Sequence, residues 1–233
     1  MSTLEILYQD DRLVVVNKPS GLLVHPSAEA SDRKTCLSIL RDQLGCYVYP
    51  LHRLDRGTSG ILLMGLDSET ARLMQGAFIR REVSKTYLAI VRGWLNEEGV
   101  FDRPLRKTGG EKETALTRYR TIAHSKLPYP VGNYPEARYS LVRAFPVTGR
   151  RHQIRRHLSN ASYPIVGDAV HGDGKHNRLF RQLFSCYHLL LHAEAIEFIH
   201  PFQKESLALT TPPHKDFSEI CSRMGWNVKA ELS

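Results

Sequence analysis

His52-Arg53-Leu54-Asp55-Arg56-Gly57-Thr58-Ser59-Gly60, followed at once by Ile61-Leu62-Leu63-Met64, is the stretch on which the reading of this chain turns. One carboxylate stands between two arginines, just ahead of small, turn-forming residues. The apolar run behind it reads as a buried strand. A charged, glycine-punctuated turn feeding a core strand can hold a reactive side chain rigidly at a cleft. The competing reading is a surface loop in which Asp55 makes an Asx-turn and the arginines are solvated.

Working outward, 233 residues fit one large or two small domains and can bury a sizeable core. With 42% hydrophobic and 24% charged residues, the composition excludes a disordered or fibrous chain. The net charge of +8 favours a polyanionic partner. Part of that excess is concentrated, because Arg150, Arg151, Arg155 and Arg156 fall in one short segment, as a footprint for phosphates would. The 4 cysteines form no CxxC pair. No apolar run approaches the roughly 18 residues of a membrane span, and no signal peptide precedes the strand-like segment at Leu4. A reduced, cytoplasmic protein with free thiols and no membrane association is expected. His152 and His157 are off the i,i+4 spacing of a helical ligand pair, and no HExxH occurs, so no metal is expected.

Periodicity gives strands at 5–8 and 12–17, joined by a turn at Asp10-Asp11, and a helix through Leu37, Leu40 and Leu44 that Gly45 can cap. After the strand at 61–66, Ser68 is the expected N-cap of a helix over 69–81. A strand at 85–91 puts Tyr87, Ala89 and Val91 on one face, with Leu88 and Ile90 on the other. Residues 103–114 and 125–136 read as loops, with strands at 115–122 and 138–145 flanking the second. Gly149 breaks into a short helix with Ile154 and Leu158 inward; 163–182 reads as irregular and basic. A strand at 189–199 and a helix near 215–225 close the chain. Strands outnumber helices and short turns join consecutive strands, which predicts an α+β fold: a largely antiparallel, mixed sheet flanked by helices and loops.

Two further segments carry candidate chemistry. In Lys85-Thr86-Tyr87-Leu88-Ala89, Tyr87 is by itself an ordinary strand aromatic of the core. In Gly149-Arg150-Arg151-His152-Gln153-Ile154-Arg155-Arg156-His157, helical spacing puts His152, Arg155 and Arg156 on neighbouring positions of one face, with Arg151 and Arg155 one turn apart. The bland alternative there is a solvated basic helix.

Together the three segments resemble the motifs of the RluA-type pseudouridine synthases. The pattern H-R-L-D, two variable residues, T-S-G is matched at 52–60, K-x-Y-x-A at 85–89, and G-R-x-H-Q-[IL]-R-x-H at 149–157. The motifs occur in family order, and the resemblance runs from Leu4 to about Trp226. It implies a single pseudouridine synthase catalytic domain over 1–233, without the N-terminal S4 module of some relatives. It also implies isomerisation of a uridine in structured RNA, with base flipping and no metal or redox cofactor. By resemblance, Asp55 is the essential catalytic residue and Tyr87 lies against the target uracil. Arg155 pairs with Asp55, opposing desolvation so that the carboxylate stays charged and aimed. Arg53 fills the space that the flipped base vacates, and Arg150, His152 and Arg156 hold the RNA.

Within the family the chain is most similar to the bacterial group that modifies uridine 65 of tRNA, on 4–10, 91–95, 139–142 and 164–178. It departs from that group at Gly57, where proline is expected, and in a shorter 103–114 segment. The expected partner is RNA, most of all tRNA, and the expected state is a monomer. The alternatives are a synthase for ribosomal RNA or another tRNA position, and an RNA-binding or RNA-folding protein with dispensable catalysis. A glycosidase would want a second carboxylate beside Asp55, where the signature offers arginines.

Overall fold

In the computed structural model the described residues are 3–26, 34–107 and 109–226. They divide into two compact units, with the chain passing between them after Lys85, His192 and Pro212. In the first unit, β1 (Glu5–Gln9) turns into β2 (Leu13–Lys18). The turn forms because Asp10 Oδ1 accepts from the backbone N–H groups of Arg12 and Leu13, both at 2.7 Å. Helix α1 (Cys36–Leu44) opens on a Thr35–Ser38 capping box and stops at left-handed Gly45, at φ 67°.

After β3 (Tyr49–Pro50) comes β4 (Ser59–Gly65), buried at every position, as its apolar run predicts. Helix α2 (Ser68–Arg80) is capped by Asp67 and not by Ser68. The Asp67 carboxylate reaches both the N–H and the hydroxyl of Thr70, at 2.8 and 2.7 Å, which leaves Ser68 as the first helical residue.

The second unit takes up β5 (Ser84–Arg92), β6 (Glu98–Asp102), β7 (Leu105–Arg106), β8 (Lys112–Glu113), β9 (Leu116–Leu127) and β10 (Ala137–Pro146). It continues with α3 (Gln153–Asn160) and α4 (Gly174–Phe184). The chain returns to the first unit with β11 (Leu191–Ile199) and β12 (Ser206–Thr210), and ends its described part in the second with α5 (Lys215–Arg223).

Strands of the first unit are ordered β1-β2-β4-β11, with β3 beside β4 and β12 beside β11. Those of the second are ordered β5-β10-β9-β6, antiparallel throughout, and β7 and β8 form a separate hairpin. The α+β fold and its mostly antiparallel sheet are therefore as expected. Strand β5 also has the expected two faces. Leu88 and Ile90 enter one core cluster with Tyr139, Phe180 and Trp226, whereas Ala89 and Val91 enter another with Ile154 and Leu158.

Three segments differ from the periodicity reading. Residues 103–114 contain the β7–β8 hairpin, and β9 extends to Leu127. Helix α4 occupies most of the stretch read as irregular. Its inward Leu179 and Phe180 are surrounded in sequence by Lys175, His176, Arg178 and Arg181, which mask the apolar stripe.

Candidate active site

Asp55 sits half-buried in a turn closed by the Thr58 N–H donating to the Asp55 carbonyl oxygen at 3.0 Å. The turn is stitched to the segment that follows β2. Gly21 N–H donates to Arg56 O at 2.8 Å, Ser20 Oγ to Gly57 O at 2.7 Å, and Arg56 Nε to Gly21 O at 3.0 Å. At the centre of that seam lies Lys18, whose side chain is wholly buried. Its ammonium donates to the carbonyls of Pro19, Leu22 and Arg56 at 3.0, 2.7 and 3.1 Å. Burial pushes the lysine pKa down to about 8, against the opposing influence of Cys36 and Asp55.

Behind the turn, Gly60 lets β4 approach β11: a Cβ on it would stand 2.2 Å from the carbonyl oxygen of Ala193. His52 is tied into the fold. Its Nε2 accepts from the Leu63 N–H at 3.0 Å and its ring packs 5.3 Å from Phe78. Burial, helped by Lys85, drives its pKa down to about 3. Arg53, by contrast, is exposed.

The other candidate residues belong to the second unit. Tyr87 is half-buried on β5, opposite Ala144 of β10. The basic motif is less helical than its spacing predicts, because His152 takes the left-handed conformation at φ 53° and α3 begins only at Gln153. Arg151 and His152 therefore do not share a helical face with Arg155.

The cause of this break is Gln153, a buried hub. Its Oε1 accepts from Thr148 Oγ1 and Arg150 N–H at 2.6 and 3.0 Å, and its Nε2 donates to Leu116 O and Thr117 Oγ1, both at 2.9 Å. These bonds occupy the first turn and hold Arg150, His152 and Arg155 at one end of α3. His157, at the other end of the motif, is structural: its ring bonds Thr117 Oγ1 and Arg103 O at 2.9 and 3.0 Å.

Arg155 is buried and makes a two-pronged pair with Asp168, Nε to Oδ2 and Nη2 to Oδ1, each at 2.8 Å. Burial alone would raise the Asp168 pKa, but Arg155 and the N–H groups of Val170 and His171 outweigh it, so the carboxyl lies below its ordinary range. His152 Nδ1 is 2.9 Å from His171 Nε2, one ring donating to the other. Arg150 is engaged by Glu113 Oε1 at 3.2 Å and by Thr114 O at 3.1 Å; Arg156 is half-buried.

Thus Tyr87, Arg150, His152, Arg155 and Arg156 share one unit, and Arg53 and Asp55 share the other. Sequence reasoning missed Lys18, which pins the Asp55 turn in the first unit, and Asp168, which holds Arg155 in the second. The available signals were a lysine at the end of the run Leu13–Val16 and a carboxylate directly after Ile165-Val166-Gly167. Among the described residues, no group of His, Cys, Asp and Glu could hold a metal ion, and no helix is long and apolar enough to cross a membrane.

Comparison with known proteins matches the RNA pseudouridylate synthase family to residues 12–160. The tRNA pseudouridine synthase C of Vibrio parahaemolyticus is 44% identical over 236 residues, covering 96% of each chain. The protein of the same name from Haemophilus influenzae is 41% identical over 235 residues, covering 96% of this chain and 98% of its own. The solved structure of Human RNA Pseudouridylate Synthase Domain Containing 4 superposes with a TM-score of 0.74 at 26% identity, covering 95% of this chain and 93% of that one.

Proposed function

The chain belongs to the RNA pseudouridylate synthase family, an enzyme converting uridine in RNA to pseudouridine, and from that premise we propose that its substrate is tRNA and its target uridine 65. The observation that carries this reading is the match along 96% of both chains to a synthase named for tRNA, with the complete Asp55 signature in place.

On this reading the two units form one catalytic domain, acting as a monomer in the cytoplasm. The reaction breaks the bond from uracil N1 to C1′ of the ribose, turns the base and joins C5 to C1′, while C5 loses a proton and N1 gains one. A base stacked in a polymer must first be flipped out, at a cost of a few kcal/mol. Asp55 supplies the carboxylate beside the ribose, and the seam through Lys18, Ser20 and Gly21 fixes the backbone that presents it. Tyr87 takes the face of the uracil, and Arg155, held by Asp168, orients Asp55. Arg53 enters the vacated stack, while Arg150, His152 and Arg156 contact the RNA.

The test is carbodiimide–primer-extension mapping of pseudouridine in total tRNA and ribosomal RNA from cells with and without the gene, and with Asp55→Asn. Loss of one tRNA signal at position 65, equally in the deletion and in Asp55→Asn, is expected, with RNA affinity of the variant within a few-fold of wild type. Loss of a ribosomal signal instead refutes the tRNA assignment, and a fully active Asp55→Asn refutes the role of Asp55.

A further inference from the structure

A cleft of about 640 Å³ opens in the second unit between β5, the turn joining β9 to β10, and the residues that follow α3. Neither Tyr87 nor Arg155 lines it, nor does any other residue of the three signature motifs. Its walls carry Tyr134, Tyr163, Arg92, Arg138, His176 and Glu136, whose carboxylate pairs with Arg138 at 3.3 Å. Tyr134 is 73% exposed, although an aromatic ring in water gives up its hydrophobic stabilisation.

Beside the cleft, Trp94 is 43% exposed and is sandwiched into an open stack. Its ring lies 5.8 Å from His124, and the Arg138 guanidinium sits 4.5 Å from its centroid. Exposed rings interleaved with planar cations are how proteins receive unstacked nucleobases, through their π faces and without demanding a sequence.

The wall of the cleft is fixed by neighbouring elements. Ser162, on its wall, holds a left-handed backbone at φ 69° in the turn that ends α3, where the Tyr163 N–H donates to Leu158 O at 2.8 Å. Its carbonyl accepts from Arg92 Nη2 at 2.9 Å, so the turn that ends α3 orients the guanidinium. Arg92 is also paired with Asp173, and Asp173 lies on the same short loop as Asp168, the partner of Arg155. One loop therefore fixes both the arginine of the catalytic motif and an arginine of the cleft. Helix α3 joins the same two places, with Arg155 in its first turn and the cleft beyond its end, roughly 9 Å along its axis.

The geometry points to this cleft as a second RNA-binding site, one that takes an unpaired nucleotide of the substrate by stacking its base on the exposed ring of Tyr134. The inference rests on the tRNA reading above and adds to it a contact at unpaired nucleotides, apart from the target uridine.

Two measurements test it. Tyr134 is exposed, so Tyr134→Ala folds as wild type does; on a full-length, unmodified tRNA transcript it raises KM by roughly 5- to 100-fold and leaves kcat within about two-fold. A photo-cross-linker placed at position 134 forms an adduct with total tRNA that maps to an unpaired nucleotide. An unchanged KM, an adduct confined to paired stems, or no adduct at all overturns the proposal. Because cross-linking needs no turnover, it decides the question even if the wild-type protein modifies ribosomal RNA rather than tRNA: adducts are then mapped on that RNA by the same criterion.

Discussion

A bare imidazole nitrogen guards the acid side of the signature loop. The Nε2 of His52 accepts from the Leu63 N–H, so a proton placed on it would set two donors against each other. The folded-state pKa of about 3 lies below the roughly 6.5 of an unfolded histidine. As pH falls between those values the unfolded chain binds a proton that the folded chain refuses, and stability falls with it. His157 and His176 are shifted in the same direction, chiefly by burial, and steepen the same limb. Replacing His52 by Gln keeps an acceptor for Leu63 and removes the titration. Urea unfolding at a series of pH values should then show a shallower loss of stability from about pH 6.5 downward, by about one proton. An unchanged slope would mean that His52 titrates normally in the fold. Lys18 illustrates the opposite use of a buried charge: three carbonyls accept its ammonium, and the bonds serve to pin the turn that carries Asp55.

At the scale of elements, the approach of β4 to β11 depends on one residue. Gly60 has φ +103°, a conformation unfavourable for residues with a Cβ, and backbone atoms of Ala193 stand where that Cβ would go. Because backbone cannot rotate away as a side chain can, Gly60→Ala should destabilise the protein by more than about 3 kcal/mol. Chemical denaturation checks it, and a loss under about 1 kcal/mol would show that the strands can part without cost.

Elements with clean periodicity were legible in advance: β4, α2 and both faces of β5 follow directly from their sequence. Helix α4 was not, because cationic residues interrupt its buried Leu179 and Phe180. The start of α3 was not either. Spacing alone places His152 on the helix, whereas the hydrogen bonds of Gln153 to Thr148, Leu116 and Thr117 break the chain before it.

Over the whole molecule, the net charge of +8 predicts how the enzyme meets RNA. Affinity should fall linearly in log–log form with salt, each phosphate contact contributing roughly 0.7 to 0.9 to the slope. Arg156→Gln should reduce that slope by about one contact while leaving turnover at saturating RNA intact, and binding titrations at several salt concentrations measure it. A slope equal to that of wild type would remove Arg156 from the RNA surface.

What the sequence by itself determined is local or additive: three motifs with their spacing, the alternation of buried strands, the charge and, through the motifs, the family. The tertiary structure alone decided which partner Arg155 holds within its unit, where the Lys18 ammonium goes, and that a cleft with aromatic walls lies beyond α3. The physical reason is range. Arg155 meets Asp168 across 13 positions and Lys18 meets Arg56 O across 38. The acceptors of Lys18 are backbone carbonyls, which every residue type supplies alike. Such partnerships leave no mark in composition or periodicity, and they exist only once the chain has folded.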